Sequence, residues 1–429
     1  MKVCVHGLWH LGSVTAACLA AAGFDVTGLD DDAATVQGLS EGRPPLFEPG
    51  LEDLVKQGLS AGKLRFAADP KTVAGAQVVW VSFDTPVDED DRADIAHVTD
   101  RIRSLFPHFG DGVVVLISSQ LPVGTTRSLA DAFALVANGR KVSFAYSPEN
   151  LRLGRALEAF REPGRIIVGG AEGAARGILA DLLRPYSTNI LWVSLESAEM
   201  AKHALNAFLA TSVTFINEIA ALCETTGADA AEVEAALRSE PRIGPKAYLR
   251  PGAAFAGGTL ARDVAFLQTL AARSGLELPM IGGIIPSNRY HRGWPLRQLR
   301  ARLGDLSGRR IAVLGLAYKP GTDATRRSVA VELCRDLLAA GARLAVFDPA
   351  VRRLPDEIGA AALADSAESA LAGAEAVAIM TEWPEFRSLT ATAMVGGMAR
   401  ALVLDQNRFL AAALEGQPGV DYVTIGRPT

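Results

Sequence analysis

Lys202 and Asn206 stand four residues apart in a stretch that reads as helix, so they share one face. An amine and an amide converging on a pocket suit a developing alkoxide: one supplies charge, the other a hydrogen bond. Ala204, Leu205, Phe208 and Leu209 make the surrounding segment apolar, so polar groups there need a reason. The commoner role for a lysine is a solvated helix face. Thr259 and Asp263 are also four apart, directly after Gly257-Gly258, and glycines there let the chain approach a ligand closely. Asp263 suits a pair with Lys202 or the acceptance of a hydroxyl proton through water. Thr259 is read either as a site residue or as a helix N-cap. Glu149 follows a proline at a strand end, as a site carboxylate or a surface one.

A second constellation lies at the start of the chain. Gly7-Leu8-Trp9-His10-Leu11-Gly12 keeps the first and third glycines of a G-x-G-x-x-G turn and has Trp9 at the second. The first glycine permits the tight turn, the third permits helix–strand packing, and the second normally lets backbone approach a pyrophosphate. Trp9 must then lie aside, or the pyrophosphate shifts. A strand precedes the turn, a helix follows, and Asp30 comes 18 residues after Gly12. Asp30 can accept both ribose hydroxyls and repel a 2′-phosphate, which favours NAD over NADP. The helix N-terminus offers N–H groups to the pyrophosphate.

These residues need elements to position them. Lys2–His6 and Asp25–Leu29 read as strands around a helix Ser13–Ala22 that stops at Gly23. Val78–Phe83, Val113–Ser118, Val142–Tyr146, Arg165–Val168 and Ile190–Val193 read as further strands, with helical stretches between them. The expectation is a parallel, doubly wound sheet. From Glu196 the strand signal stops. Glu196–Thr226, Asp229–Arg238, Leu260–Ala272 and Ile284–Leu303 read as helices. At Arg310–Leu314, Val329–Ala340 and Arg343–Phe347 the strand–helix–strand pattern returns. Ala-Ala-Gly23 lies seven residues before Asp30 and Ala-Ala-Gly341 seven before Asp348, an internal repeat. The second unit's longer turn, 318–327, carries Lys319, Asp323, Arg326 and Arg327 at the sheet's carboxyl edge, where a ligand would sit. The fold class expected is α/β: two Rossmann-like doubly wound domains, 1–195 and 308–429, joined by a helical region, 196–307.

Bulk composition agrees. The 429 residues are 49% hydrophobic with a net charge of -5 and no Lys/Arg run, which argues against nucleic acid or an anionic membrane as partner. Cys4, Cys18, Cys223 and Cys334 form no C-x-x-C pair and no metal spacing, so buried thiols and no metal site are expected. With no signal peptide and no run of 18 apolar residues read at this stage, the expected location is cytoplasmic.

Short segments, taken in order, resemble the UDP-glucose/GDP-mannose dehydrogenase family along nearly the whole chain. They are Arg43-Pro-Pro-Leu-Phe-Glu-Pro-Gly50, Asp84-Thr85-Pro86, Pro122-Val-Gly-Thr125, Ser147-Pro-Glu-Asn-Leu-Arg152, Lys202-x-x-x-Asn206-Ala-Phe, Arg242-Ile-Gly244, Gly315-Leu-Ala-Tyr-Lys-Pro320 with Thr322-Asp323 and Arg326, and Thr381-Glu-Trp383. The resemblance implies two hydride transfers from a nucleotide sugar's C6 alcohol to NAD, with a cysteine trapping the aldehyde as a thioester before hydrolysis. It adds Thr85, Pro86, Gln120 and Arg326 to the cofactor site. It adds Arg152, Tyr248, Phe255, Gly257 and Lys319 to the sugar site, and gives Glu149 the hydrolytic water. It also implies that Arg242 reaches into a partner subunit, hence a homodimer or higher oligomer built on the helical middle. Where the family has its cysteine, in G-F-G-G-S-C-F-P-K-D, this chain reads Ala254-Phe-Ala-Gly-Gly-Thr-Leu-Ala-Arg-Asp263, with Thr259 at the cysteine. The family's threonine in S-T-V-P is Gln120, and its second N-P-E-F-L-R-E glutamate is Leu153. Three readings follow: a single two-electron oxidation to an aldehyde or keto sugar, a full oxidation through the aldehyde hydrate, or nucleotide-sugar binding with little catalysis.

Overall fold

A computed structural model describes residues 1–88, 93–149, 151–256 and 258–428. The chain divides into two compact units, Met1–Ala204 and Leu205–Thr429.

The first unit is built on eight strands: β1 (Lys2–His6), β2 (Asp25–Leu29), β3 (Leu64–Ala67), β4 (Val78–Val81), β5 (Val114–Ile117), β6 (Ser143–Tyr146), β7 (Ile166–Gly169) and β8 (Ile190–Val193), in the order β3-β2-β1-β4-β5-β6-β7-β8. Its helices are α1 (His10–Ala21), α2 (Ala33–Ser40), α3 (Leu51–Ser60), α4 (Ile95–Ser104), α5 (Thr125–Ala134), α6 (Ala156–Arg161) and α7 (Gly173–Leu183). Every residue of β4 and β5 is buried, as expected of strands covered on both faces. Side-chain alternation divides them: Val3, Val5, Val78, Trp80, Val114 and Leu116 pack with Val14 and Leu19 of α1 and Leu179 of α7. Cys4, Val79, Val81, Val115 and Ile117 pack on the other face with Ile102 of α4 and Phe133 of α5.

The expected strands are present, with ends shifted by a residue or two and with β3 in addition. The sheet is not wholly parallel, however. β6 and β7 pair antiparallel, Tyr146 opposite Gly169. The connection carries only the six-residue α6. With Tyr146 opposite Gly169, β7 begins beyond the carboxyl end of β6 and runs back.

The long helix α8 (Leu195–Thr226) begins in the first unit and continues into the second. α9 (Ala230–Ser239), α10 (Thr259–Arg273), α11 (Pro279–Arg292) and α12 (Trp294–Leu303) follow, with no strand between β8 and Arg310 among the described residues. The helix expected over Ile284–Leu303 is two helices that meet at Gly293, and Pro295 opens the second, where its missing N–H costs nothing. α8 is long and apolar enough to cross a membrane by length and composition, and 44% of that window is buried within the fold. The second unit closes with β9 (Arg310–Leu314), α13 (Val329–Ala339), β10 (Arg343–Phe347), β11 (Ala362–Leu363), β12 (Ala376–Ile379), β13 (Leu402–Asp405) and β14 (Asp421–Val423), an all-parallel sheet ordered β11-β10-β9-β12-β13-β14.

Candidate functional site

The glycine turn between β1 and α1 is fixed by space. Gly7 has φ +95°, its N–H bonds to Leu29 O at 2.9 Å, and a Cβ there would sit 2.8 Å from the Phe83 ring. A Cβ on Gly12 would lie 1.6 Å from the Gly7 carbonyl oxygen, so only glycine lets α1 pack this close. Trp9 needs no glycine. It holds the N-cap position at φ −70°, is 48% exposed, and no side chain caps the first turn of α1. The helix start at His10, three residues earlier than expected, therefore leaves its first N–H groups open to an anion. These features fit a dinucleotide pyrophosphate.

The two acidic residues of the repeat part company here. Asp30 is half-buried and accepts from Leu8 N at 2.6 Å and Asp32 N at 2.9 Å. Asp348 is buried and accepts from Leu316 N, Ala317 N, Ala350 N, Val351 N and Trp383 Nε1. A carboxylate offers about four acceptor sites. Asp30 retains capacity for ribose hydroxyls, whereas Asp348 is used up inside the protein.

Of the other cofactor candidates in this unit, Leu11 is buried and His10 turns its ring to Glu48, Nε2 to Oε2 at 2.9 Å. Thr85 is buried and donates its hydroxyl to Gln120 O at 2.6 Å, joining the turns after β4 and β5 beside the exposed Pro86. A cleft of about 390 Å³ opens at the carboxyl ends of β4–β6, lined among others by Leu11, Trp80, Ser118, Ser147, Glu149 and Arg152. Lys202, nearly buried, reaches from α8 to Glu149. Its Nζ donates to the Glu149 carbonyl at 2.5 Å and lies 3.7 Å from the carboxylate. Glu149 is partly exposed and also accepts from Leu151 N at 2.7 Å.

Three residues that sequence reasoning passed over complete this framework. Glu199 is fully buried and accepts from Gly124 N, Thr126 N and Thr126 Oγ1, holding the start of α5. Burial pushes its carboxyl above the ordinary range against those hydrogen bonds. His203 bonds through Nε2 to Leu121 O at 3.0 Å. Glu199 stands three residues before Lys202 and four before His203, helical spacings that were legible had the whole segment been read. Glu48, buried in the 43–50 segment, is the third.

In the second unit Asn206 donates its amide to the fully buried Asp263 on α10. Thr259 is the first residue of α10 and is exposed. The N-cap is Gly258, so the N-cap reading of Thr259 does not hold. Phe255 is buried in a cluster with Ala207, Ala210 and Val264, and its backbone N–H and carbonyl both pair with the Asn288 amide. The structure thus makes its side chain a core residue. Tyr248 is 57% exposed, and Arg242 is exposed and paired with Glu240 at 2.8 Å, an intrachain bridge. Lys319 lies 5.5 Å over the Tyr318 ring, and Arg326 is exposed on the same loop. Gly257 lies outside the described residues. No group of three metal-ligating side chains occurs among the described residues.

All four cysteines are free and buried. Burial pushes the thiols of Cys4 and Cys334 up to about 12 and that of Cys18 to about 11, and raises that of Cys223. None is a thiolate near neutral pH.

Models of the UDP-glucose/GDP-mannose dehydrogenase family match in chain order: the NAD binding domain over residues 1–187, the central domain over 196–290 and the UDP binding domain over 312–412. The UDP-glucose 6-dehydrogenase of Pseudomonas aeruginosa is 34% identical, over 100% of this chain and 98% of that protein. The chain belongs to the UDP-glucose/GDP-mannose dehydrogenase family. It is an NAD-dependent nucleotide-sugar dehydrogenase. A solved UDP-glucose dehydrogenase from Pyrobaculum islandicum superposes with a TM-score of 0.86 at 31% identity, covering 100% of this chain and 98% of that one. A solved UDP-D-ManNAc dehydrogenase from Pyrococcus horikoshii gives 0.86 at 26% identity, covering 100% and 99%.

Proposed function

We propose that the dehydrogenase oxidises a UDP-glucose-like sugar by one two-electron step and releases an aldehyde or keto sugar. The observation that carries this is Thr259 at the head of α10, a hydroxyl where the family's trapping cysteine falls, with every cysteine of the chain buried elsewhere. A thiol of ordinary pKa, about 8.5, is easily lowered to a thiolate. An aliphatic alcohol ionises far above that and needs an adjacent base. Among the described residues Thr259 makes no side-chain hydrogen bond to such a base.

The first unit would hold NAD along Gly7–Gly12, with Asp30 on its ribose and Thr85, Pro86 and Gln120 as further contacts, and NAD would supply a hydride acceptor; the family resemblance adds Arg326 from the second unit. The Lys202 ammonium and the Asn206 amide stabilise the alkoxide as the carbinol proton leaves, and Asp263 takes that proton through water. Glu149 keeps Lys202 aimed at the cleft. The family resemblance supports Arg152 in the first unit, and Tyr248 and Lys319 in the second, as residues for the nucleotide sugar. Arg242 leaves Glu240 to reach into the sugar site of a partner subunit. The exposed Phe208, Phe215 and Leu222 recur every seven residues on α8 and support a homodimer formed along that helix. The buried free thiols support a cytoplasmic setting. We assign the domains as 1–195, 196–307 and 308–429.

The test is stoichiometry. With NAD and UDP-glucose first among a panel of nucleotide sugars, one NADH forms per sugar and the product mass falls by two hydrogens. Two NADH and a carboxylate would overturn the single-step reading and make Glu149 the holder of a water that hydrates the aldehyde.

A further inference from the structure

Glu48 stands apart from the reacting groups, yet it is one of the most completely used carboxylates in the first unit. It is 4% exposed. Its Oε2 accepts from the ring Nε2 of His10 at 2.9 Å and from Gly154 N at 2.8 Å, and its Oε1 accepts from Ala156 N at 2.8 Å. Its own carbonyl accepts from Leu51 N at the start of α3. One side chain from the 43–50 segment therefore grips two parts of the site. His10 is the first residue of α1, in the turn assigned to the pyrophosphate. Gly154 and Ala156 close the loop that starts at Pro148 and carries Glu149 and Arg152 along the wall of the cleft.

Lys202, Leu151 N and the Arg155 N–Arg152 O bond hold the Glu149 side of the loop, and Glu48 holds its far end. Arg152 and Arg155 are exposed, Gly154 takes φ +89°, and α6 after it is only six residues long with no side-chain cap of its own. The Glu48 carboxylate supplies the missing acceptor for the orphan N–H groups there. Buried charge is retained where its hydrogen bonds are satisfied and costs heavily where they are not. Moving the loop therefore strips Glu48 of two donors, and moving His10 strips it of the third.

We propose that Glu48 is a positioning residue that ties the Glu149–Arg152 loop to the cofactor turn through His10, so that NAD at the turn and sugar at the loop bind with mutual reinforcement. The proposal rests on the assignment of the Gly7–Gly12 turn to the cofactor. Glu48 touches no reacting atom. It acts by making one rigid body of two binding elements that the chain separates by more than a hundred residues. Coupling of this kind is reciprocal: whatever NAD contributes to ordering the loop, the sugar returns to NAD affinity.

The decisive measurement is hydrogen exchange at Gly154 and Ala156, with NADH as the probe and its binding followed separately by fluorescence. In the unaltered protein saturating NADH slows exchange at both amides by about five-fold or more, the lower range of ordinary site-to-site coupling. Glu48→Gln, whose amide must face a backbone N–H, loses that slowing. Should Glu48→Gln fail to fold, His10→Phe decides. It leaves the loop bonded to Glu48 but cuts the link to the turn, so at NADH concentrations that saturate the variant by its own fluorescence titration the loop amides are no longer slowed. Equal slowing in His10→Phe and the unaltered protein would overturn the proposal, as would absence of slowing where NADH binds. Absence of NADH binding to the unaltered protein would overturn the cofactor assignment and the coupling with it. A merely structural Glu48 would lower Tm and leave the NADH-dependent ratio unchanged.

Discussion

At residue scale the proposed chemistry turns on Thr259. Its exposure at the first position of α10 leaves room for a thiol of ordinary acidity, in contrast to the four buried cysteines. Thr259→Cys is therefore expected to form a covalent, hydroxylamine-sensitive adduct with the sugar in the presence of NAD, visible by intact mass, with more than one NADH released per sugar. An unmodified mass and unchanged stoichiometry would show that position 259 does not decide the outcome. Lys202 is the second residue to test. It is nearly buried and aimed by the Glu149 carbonyl, so Lys202→Ala is expected to lower kcat by on the order of 10²–10³, the usual cost of losing one preorganised oxyanion donor. A change confined to KM would instead mean that Lys202 contributes binding alone.

At the scale of elements, the end of β1 carries a pH signature. His6 is buried beside Phe83, their ring centroids 4.6 Å apart. Burial first, and the Arg101 charge second, push its pKa down from 6.5 to about 3. Between those values the unfolded chain binds the proton and the folded chain does not. Stability from this group is therefore full above about pH 6.5 and is lost as pH falls toward about 3. Tm measured against pH should fall less steeply through that window in His6→Leu than in the unaltered protein. Parallel curves would mean that His6 finds a way to charge in the fold. The same scale shows why some elements were legible and others were not. β1, β2, β9 and β10 are read from sequence to the residue, since each is a short apolar run stopped by a polar residue or glycine. The reversal at β7 shows only in the pairing of Tyr146 with Gly169, and the break between α11 and α12 turns on a single glycine followed by Trp294-Pro295. Periodicity alone registers neither.

At the scale of the whole molecule, Phe208, Phe215 and Leu222 form the one prediction that concerns assembly. A double change Phe208→Asp with Phe215→Asp is expected to shift the protein to monomer in sedimentation, while the buried Glu199, Lys202 and His203 half of α8 keeps its hydrogen bonds. An unchanged sedimentation coefficient would remove α8 from the interface. The sequence by itself determined the α/β class, the family and the two glycine-turn repeats, and it alone carries the proposed match of Thr259 to the cysteine position, because these are matters of residue type and spacing along one chain. Only the tertiary structure decided how like residues differ. Asp30 and Asp348 follow their Ala-Ala-Gly signals at equal distance, yet one keeps acceptor capacity and the other spends five bonds within the protein. Likewise Glu48 and Glu199 were two glutamates among many until folding buried them against distant backbone N–H groups. Burial and hydrogen-bond partners are properties of segments brought together from far apart, and no local pattern encodes them.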